Sequence, residues 1–259
     1  MRDVVLITGA SSGIGTSFAR LYGKEKDLYL IGRNTTALND LKEEIENTYG
    51  HKVYTQSIDL TLNDGPERIY EAVQKEGRFV RTLINNAGFG TYGSFADGKV
   101  EDYKKMIDLN DRALVEMTYL FLKDMQKEKR GEILNVASIA SFFPGPGMAV
   151  YYATKAFVLS FSRALHEEVR KDRIVVSCLC PGPVNTNFAK TAGADQAKFF
   201  SSGLVHGPDQ VARYGKYLLD HKRSYGTEGL LNKTGVFLGS LLPSPLDARI
   251  LGFVQSLKK

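Results

Sequence analysis

Short apolar runs recur through the first three quarters of the chain, and segments with helical periodicity separate them. The runs are continuous rather than alternating, which is typical of strands buried on both faces of a parallel sheet. They predict strands at residues 4–7, 28–31, 53–54, 83–84, 133–136 and 175–179. Helices are predicted between them at residues 13–22, 37–49, 65–76, 100–127 and 151–170. This alternation predicts an α/β fold: a doubly wound, Rossmann-like parallel sheet in three αβα layers.

The pattern changes after the sixth predicted strand. Residues 185–206 are rich in Ala, Gly, Ser and Thr, with Phe188, Phe199 and Phe200 between them. Because a loop of this length in a compact domain is usually functional, we predict a substrate loop here. A further helix is predicted at residues 210–219. The sequence contains no visible linker, so residues 1–259 are predicted to form a single domain.

The end of the chain predicts an amphipathic helix at residues 246–257. Its apolar positions share one helical face: Leu246, Ile250, Phe253, Val254 and Leu257. We expect this face to pack on the core or on another subunit. Contact with a membrane surface or with a long-chain substrate is the alternative, and the low basic charge of the polar face argues against the membrane.

Composition excludes several classes of protein. The 259 residues are 43% hydrophobic and 24% charged, which is ordinary globular usage. The net charge of +5 is spread along the chain, so no nucleic-acid arm is predicted. The two cysteines are too few for a disulfide scaffold or a four-thiolate zinc site, and no metal site is predicted. The sequence shows neither a membrane span nor a signal peptide, so we expect a cytoplasmic protein.

A glycine-rich turn joins the first predicted strand to the first helix. Glycines let the backbone approach a pyrophosphate closely, and the free N–H groups of a helix N-terminus bind its charge. The candidate cofactor-binding residues of this turn are Gly9, Ser11, Ser12, Gly13, Ile14 and Gly15. Their spacing, without a following Gly-Lys-Ser/Thr, excludes the phosphate loop of ATPases. A glycine turn without a ligand is the alternative interpretation.

The second predicted strand ends at Gly32 and Arg33. In dinucleotide-binding folds an acidic residue near this position binds the ribose 2′-hydroxyl, whereas an arginine accommodates a 2′-phosphate. Gly32 removes the carboxylate, and the Arg33 guanidinium suits a phosphate. The sequence therefore favours NADP over NAD, with a plain surface charge as the alternative for Arg33.

Polar residues lie at the ends of several later strands, which is where such sheets bind ligands. They are residues 85–88, Asn110, Ser138, Tyr151 and Lys155. Tyr151 and Lys155 are four residues apart, so they share one helical face. A lysine ammonium beside a phenol favours the phenolate, so we expect Lys155 to lower the pKa of Tyr151 toward neutrality. A tyrosine with such a pKa exchanges a proton near pH 7.

The spacing alone does not decide which tyrosine and which serine belong to the site. Tyr152 lies three residues before Lys155 and reaches the same helical face. Ser141, like Ser138, is a hydroxyl close to the end of a strand.

Together these residues resemble the short-chain dehydrogenase/reductase family, in its single-domain branch of about 250 residues. The likeness extends from Val4 to Thr186. It depends on Thr8-Gly9-x3-Gly13-x-Gly15, Asn85-Asn86-Ala87-Gly88, Asn110, Ser138, Tyr151-x3-Lys155 and Pro181-Gly182. The spacing in that family selects Tyr151 over Tyr152, and Ser138 over Ser141.

The resemblance implies a role for each matched residue. Tyr151 would give a proton to the substrate oxygen during reduction, and Ser138 would orient the carbonyl. Lys155 would lower the pKa of the tyrosine and bind the nicotinamide ribose, and Asn110 would hold a water that relays protons to Lys155. The remaining cofactor contacts would be Asp59 at the adenine, Asn86 and Gly88 beside the adenosine ribose, and Pro181, Gly182 and Thr186 around the carboxamide.

The chain departs from the family pattern at Ser12. NADP-preferring relatives often carry a second basic residue in the glycine loop, so the preference for NADP rests on Arg33 and on the missing carboxylate at Gly32. The candidate substrate pocket is apolar and contains no arginine fork: Phe89, Tyr92, Phe142, Phe143, Pro144, Met148, Phe188, Phe199 and Phe200. It favours a hydrophobic ketone, a steroid-like ketone or a 3-oxoacyl thioester.

The resemblance also implies a homodimer or homotetramer through the two long helices. Their apolar stripes, such as Leu114, Met117, Leu120 and Phe121, would form the interface, and packing within the chain is the alternative. The function expected is an NADP(H)-dependent oxidoreductase. A catalytically silent NADP sensor or scaffold of the same fold is the alternative, and the intact Ser138, Tyr151 and Lys155 set argues against it.

Overall fold

The computed structural model describes residues 2–193 and 206–240. Seven strands form one sheet in which every pairing is parallel. They are β1 (Arg2–Thr8), β2 (Asp27–Gly32), β3 (Val53–Ser57), β4 (Arg78–Asn85), β5 (Gly131–Val136), β6 (Ile174–Leu179) and β7 (Tyr225–Gly226). Their spatial order is β3-β2-β1-β4-β5-β6-β7, which reverses direction between β1 and β4. The predicted Rossmann-like fold is confirmed.

Helices connect the strands and cover both faces of the sheet. They are α1 (Gly13–Tyr22), α2 (Thr35–Tyr49), α3 (Gly65–Lys75), α4 (Val100–Ile107), α5 (Ala113–Glu128), α6 (Ala149–Glu168), α7 (Phe188–Thr191), α8 (Pro208–Asp220) and α9 (Leu230–Ser240). None of the helices in the described ranges is both long enough and apolar enough to cross a membrane.

The structure differs from the prediction in two places. The helix predicted at residues 100–127 is interrupted by a π turn at Asp108–Arg112, which separates α4 from α5. The short strand β7 and the helix α9 follow α8, where no element is predicted. The predicted C-terminal helix, most of the predicted substrate loop, Phe199 and Phe200 lie outside the described residues. The single domain and the cytoplasmic location stay predictions.

Apolar side chains from alternate strand positions form a core on each face of the sheet. On one face Leu6 and Leu83 pack with Phe121 of α5. On the other face Ile7 and Ile84 pack with Phe18 of α1. Because both faces are covered, the central strands are apolar along their whole length, as the continuous runs predict.

A buried polar ladder crosses the apolar core beneath the carboxyl ends of the strands. Asn85 of β4 donates through Nδ2 to Thr118 Oγ1 at 3.0 Å and to Asn135 Oδ1 at 2.9 Å. Asn135 of β5 donates in turn to Ser162 Oγ at 2.9 Å. These four side chains are at most 4% exposed, so every bond in the ladder replaces one that water would otherwise make. The ladder ties β4 and β5 to α5 and α6.

The apolar stripe expected to form an interface packs inside the chain. Leu114, Met117 and Phe121 are buried in the core, so the interface prediction is wrong for these side chains. The large apolar residues left exposed on the same helices are Val100, Ile107, Tyr119 and Phe157. They lie on other faces of α4, α5 and α6 than the buried stripe.

Replacing Asn135 by Ala is expected to lower the free energy of unfolding by about 1–3 kcal/mol. The change removes one buried hydrogen bond from each of Asn85 and Ser162, which keep Thr118 and Val158 as their other partners, and each lost bond costs about 0.5–1.5 kcal/mol. Urea unfolding measures the loss. Asn63→Ala, at an exposed asparagine, is the control and is expected to change stability by less than about 0.5 kcal/mol. Equal stabilities for the two variants would contradict a structural role for the ladder.

Candidate active site

A cleft of about 400 Å³ opens at the carboxyl ends of β1 and β4, where the strand order reverses. Most of the predicted site residues line it: Gly9, Ser11, Ser12, Gly13, Ile14, Arg33, Asp59, Asn86, Gly88, Ser138, Tyr151, Lys155, Pro181, Gly182 and Thr186. Gly15 and Asn110 lie behind the wall of the cleft rather than on it. The topology therefore gathers residues from widely separated parts of the sequence at one edge of the sheet.

The glycine turn after β1 has no room for side chains at its glycine positions. Gly9 has a φ of +67°, and a Cβ at this position would lie 2.9 Å from Nδ2 of Asn86. Asn86 fixes the turn by donating from this nitrogen to the carbonyl oxygens of Thr8 at 2.9 Å and of Gly9 at 3.3 Å. Gly15 packs directly behind Gly9, since a Cβ there would lie 2.2 Å from the Gly9 oxygen. The glycine positions of the turn therefore stay free of side chains, while Ser11 and Ser12 line the cleft beside them.

The N-terminus of α1 opens toward the same end of the cleft. Ser12 is the N-cap residue in an extended conformation, and its side chain makes no capping hydrogen bond among the described residues. The first N–H groups of the helix carry partial positive charge, and they bind anions such as a pyrophosphate. The glycine turn and the uncapped helix together fit the predicted dinucleotide.

The end of β2 carries no acidic side chain at this end of the cleft. Gly32 carries no carboxylate, and its Cα lies close to the Ser11 side chain, since a Cβ there would be 2.9 Å from Ser11 Oγ. Arg33 is exposed on the rim of the cleft and is free to meet an anion there. Asp59 lies on the same wall, and its Oδ1 accepts from the backbone and hydroxyl of Thr61 at 2.9 Å each.

At the other end of the cleft, the Ser138 hydroxyl lies close enough to Tyr151 to influence the pKa of its phenol. Ser138 follows β5 and caps a short 3₁₀ turn, accepting from the Ala140 N–H at 3.1 Å. Ser141 points elsewhere, because its hydroxyl donates to the backbone oxygen of Lys155 at 2.7 Å. The geometry therefore brings Ser138, rather than Ser141, to the tyrosine.

Tyr151 and Tyr152 are both 8% exposed, but their rings have different neighbours. The Tyr151 ring lies against Gly90, with Nζ of Lys155 at 5.8 Å from its centroid. The Tyr152 ring instead packs against Gly145. Tyr151 is therefore the tyrosine that shares a wall of the cleft with both Ser138 and Lys155.

The Lys155 ammonium is buried beneath the cleft. The residue is 5% exposed, and Nζ donates to the carbonyl oxygen of Val136 at 3.0 Å. Burial lowers the pKa of Lys155 to about 8, while the charge of Asp111 opposes this shift. Lys155 is therefore a cation at neutral pH that loses its proton within one or two pH units above it.

The expected lowering of the Tyr151 pKa by Lys155 is not found. Burial raises the pKa of Tyr151 well above its usual value, and the Ser138 hydroxyl opposes the shift only in part. The reason is that Lys155 directs its ammonium at the Val136 carbonyl, while the phenol lies in a water-poor wall that disfavours the phenolate. The protein's own groups therefore keep the phenol protonated.

Asn110 lies in the π turn that interrupts the long helix, and it is 1% exposed. Its Oδ1 accepts from the Phe89 N–H at 3.1 Å, and its Nδ2 donates to the Phe89 oxygen at 2.9 Å and to Thr154 Oγ1 at 3.0 Å. A Cβ on Gly88 would lie 3.0 Å from Asn110 Oδ1 and 3.3 Å from Lys155 Nζ. The side-chain amide thus joins the β4 loop to α6 next to the lysine, and the predicted water-holding role stays a prediction.

Asp111 is an ionisable group near Lys155 that neither the residue spacing nor the family resemblance predicts. It follows Asn110 in the π turn, and its buried Oδ1 makes no hydrogen bond within the described residues. Burial raises the pKa of Asp111 to about 7, and the charge of Lys155 opposes the shift. The sequence does not indicate that Asp111 is buried, because its burial follows from the packing of the π turn.

The wall beside Tyr151 is largely apolar. Phe89, Tyr92, Met148 and Phe188 line it as predicted, together with Tyr152. The prediction is wrong for Phe142, Phe143 and Pro144, which do not line the cleft. Phe142 packs against Phe143 and Tyr225 because the 3₁₀ turn after Ser138 directs its ring away from the cleft.

The short chain dehydrogenase family profile matches residues 3–197. This match covers most of the chain and the whole of the sheet except β7, so the chain belongs to the short-chain dehydrogenase family. The predicted family membership is confirmed.

Individual relatives agree with this assignment. The chain is 35% identical over 213 residues to a very-long-chain 3-oxoacyl-CoA reductase from Laccaria bicolor, covering 80% of this chain and 60% of that protein. It is 34% identical to sulfoacetaldehyde reductase 2 from Chromohalobacter salexigens, covering 76% of this chain and 79% of that protein. A short-chain dehydrogenase from Sphingobium yanoikuyae, solved in complex with NADPH, has 28% identity and a TM-score of 0.82, covering 94% of this chain and 97% of that one.

Replacing Asp111 by Asn is expected to change how stability depends on pH. The pKa of Asp111 is raised in the folded state, so the folded state binds its proton more tightly and loses stability as the pH rises from about 4 to about 7. Asn cannot ionise, so the stability of Asp111→Asn relative to the wild type should increase over this range and level off above about pH 7. Urea unfolding at a series of pH values measures the difference. Parallel curves for the two proteins would show that Asp111 titrates normally.

Proposed function

We propose that this chain is an NADP(H)-dependent oxidoreductase. It would transfer a hydride between the nicotinamide and the carbonyl or alcohol carbon of a hydrophobic substrate, with Tyr151 as the general acid and base. The observation that carries this proposal is a single cleft with two chemically different ends. One end is a glycine turn at a helix N-terminus, and the other end is the group of Ser138, Tyr151 and Lys155.

The residues at the first end fit a dinucleotide with a 2′-phosphate. The backbone around Gly9 and the N-terminus of α1 would hold the pyrophosphate. Arg33 would pair with the 2′-phosphate, and because position 32 is a glycine, no carboxylate there competes with the phosphate. The related dehydrogenase from Sphingobium yanoikuyae was solved with NADPH, which supports this cofactor.

The bound nicotinamide supplies the hydride, and the chain supplies the proton and the orientation. During reduction the developing alkoxide is far more basic than a phenolate, so a phenol with a raised pKa still donates its proton. Ser138 would hold the carbonyl oxygen next to the Tyr151 hydroxyl. Lys155 would bind the nicotinamide ribose, because its ammonium lies beside the Tyr151 ring and carries charge below its pKa of about 8.

The apolar wall favours a hydrophobic substrate. Phe89, Met148 and Phe188 line this wall, and in the described part of the cleft Lys155 is the only cation beside Tyr151, so no arginine is present there to bind a carboxylate. A hydrophobic ketone, a steroid-like ketone or a 3-oxoacyl thioester fits this wall. The relative from Laccaria bicolor is named as a 3-oxoacyl-CoA reductase, which supports the thioester within this set.

We also propose a homodimer or homotetramer. Ile107, Tyr119 and Phe157 are 45–57% exposed on the outside of α4, α5 and α6. These side chains would be part of the surface that a second subunit covers. We propose this surface as the interface in place of the apolar stripe at Leu114, Met117 and Phe121, which is buried within the chain.

Tyr151→Phe is expected to reduce NADPH oxidation by about 100- to 10,000-fold, because a general acid contributes about this much. The assay follows absorbance at 340 nm with a panel of hydrophobic ketones and 3-oxoacyl thioesters. Tyr152→Phe is the matched control, since it removes a hydroxyl of similar burial one residue away. It is expected to keep activity within a few-fold. Equal losses of activity in both variants would contradict the role of Tyr151 as the general acid.

The same panel separates an enzyme from a silent binding protein. NADPH binding without turnover of any substrate, and no effect of Tyr151→Phe, would favour the sensor or scaffold of the same fold.

Arg33→Ala is expected to weaken NADPH binding by about 10- to 100-fold, since a charge-assisted hydrogen bond contributes about 1.5–3 kcal/mol. NADH binding should change by less than about threefold, because NADH lacks the 2′-phosphate. The fluorescence of each reduced nicotinamide reports its dissociation constant. Arg173→Ala, at an exposed arginine on the loop before β6, is the control for general charge effects. Similar losses for NADPH and NADH would count against contact with a phosphate.

A further inference from the structure

A buried carboxylate lies behind the wall of the cleft and does not line it. Glu228 follows β7, is 2% exposed, and directs Oε1 at the backbone N–H of Gly182 at 3.3 Å. Its other oxygen, Oε2, is buried without a hydrogen-bond partner within the described residues. Burying a carboxylate in this way costs stability. Such a residue is therefore expected to have a role other than holding the fold together.

Gly182 belongs to the stretch of chain that forms this wall. Pro181, Gly182, Pro183 and Val184 all line the cleft, on the side facing Ser138. The Pro181 carbonyl accepts from the Ile139 N–H at 2.9 Å, so the stretch is attached to the turn that carries Ser138. The hydrogen bond from the Gly182 N–H to Glu228 Oε1 holds the same residues on the side away from the cleft.

The residue after Glu228 contacts His206, the last residue of the predicted substrate loop. Val184 and His206 pair as a parallel bridge, with the Asn185 N–H bonded to the His206 oxygen and the His206 N–H bonded to the Pro183 oxygen, both at 3.1 Å. The His206 ring packs onto Gly229, next to Glu228 in the chain. Burial raises the pKa of Glu228, and the backbone hydrogen bonds and the charge of His206 oppose the rise only in part. Gly182 of the cofactor wall and His206 therefore both lie next to the short segment that carries Glu228.

We propose that Glu228 is a positioning residue that fixes the wall at residues 181–184 through the Gly182 N–H. It would touch neither substrate nor cofactor, and it acts on the proposed cofactor through the backbone. Asn232 of α9 packs beside both Gly182 and Glu228, since its Nδ2 donates to the Glu228 backbone oxygen at 3.1 Å and approaches Oε1 at 3.5 Å. This inference rests on the proposed function for its cofactor.

Glu228→Leu tests the proposal because its effects on stability and on binding should differ in sign. Leu removes a buried charge and keeps much of the volume, so the unfolding temperature should stay the same or rise. NADPH binding should nevertheless weaken about tenfold, while kcat at saturating NADPH stays within about twofold. Glu228→Gln keeps an oxygen that accepts from Gly182 and should restore binding to within about threefold of the wild type.

Hydrogen exchange provides a readout that needs no cofactor. In the protein alone, the Gly182 amide should exchange at least about tenfold faster in Glu228→Leu than in the wild type, and near the wild-type rate in Glu228→Gln. Glu132→Leu is the control, because it removes a half-buried carboxylate at the start of β5, away from the cleft. If Glu228→Leu does not fold, Glu228→Met replaces it with a more adaptable side chain.

Unchanged Gly182 exchange together with unchanged NADPH affinity in Glu228→Leu would overturn the proposal. Weakened binding that Glu228→Gln does not restore would also overturn it, since the hydrogen bond would then not be the cause. If the wild type itself binds no NADPH, the proposed cofactor fails, while the exchange measurement still decides the role of Glu228.

Discussion

The candidate site depends on a buried ammonium group. Lys155 has almost no contact with solvent, and its nearest acceptor is the Val136 carbonyl at the end of β5. A cation in such a place costs free energy unless acceptors and opposite charge surround it. The end of the sheet supplies the acceptor, the π turn supplies Asp111, and the Tyr151 ring covers the ammonium. Each of these groups is therefore positioned relative to the lysine.

The parallel sheet explains how distant residues reach this point. Every strand ends at the same edge, so the turns after β1, β4, β5 and β6 meet around one cleft. The polar ladder from Asn85 to Ser162 lies just beneath and fixes β4, β5 and α6 to one another. The cleft thus has a rigid floor, while its outer wall at residues 181–184 is held by single hydrogen bonds.

The sequence predicts the parts of this arrangement that local pattern encodes. Continuous apolar runs identify six strands, and glycine spacing identifies the turn that contacts Asn86. Other features follow only from tertiary packing. The π turn carrying Asn110 has ordinary helical periodicity, and Glu228 is a single acidic residue in a segment without a clear pattern. The pKa of Tyr151 depends on burial and on where Lys155 points, and helical spacing describes neither.

In the proposed reaction Lys155 must be charged while the chain reduces a carbonyl. The most direct test is kcat/KM for reduction by NADPH against pH, with the best substrate of the ketone and thioester panel. The ratio should be constant near neutrality and should fall about tenfold per pH unit above a pKa of about 8, where Lys155 loses its proton. A ratio that stays constant to pH 10 would contradict the dependence of the site on this ammonium.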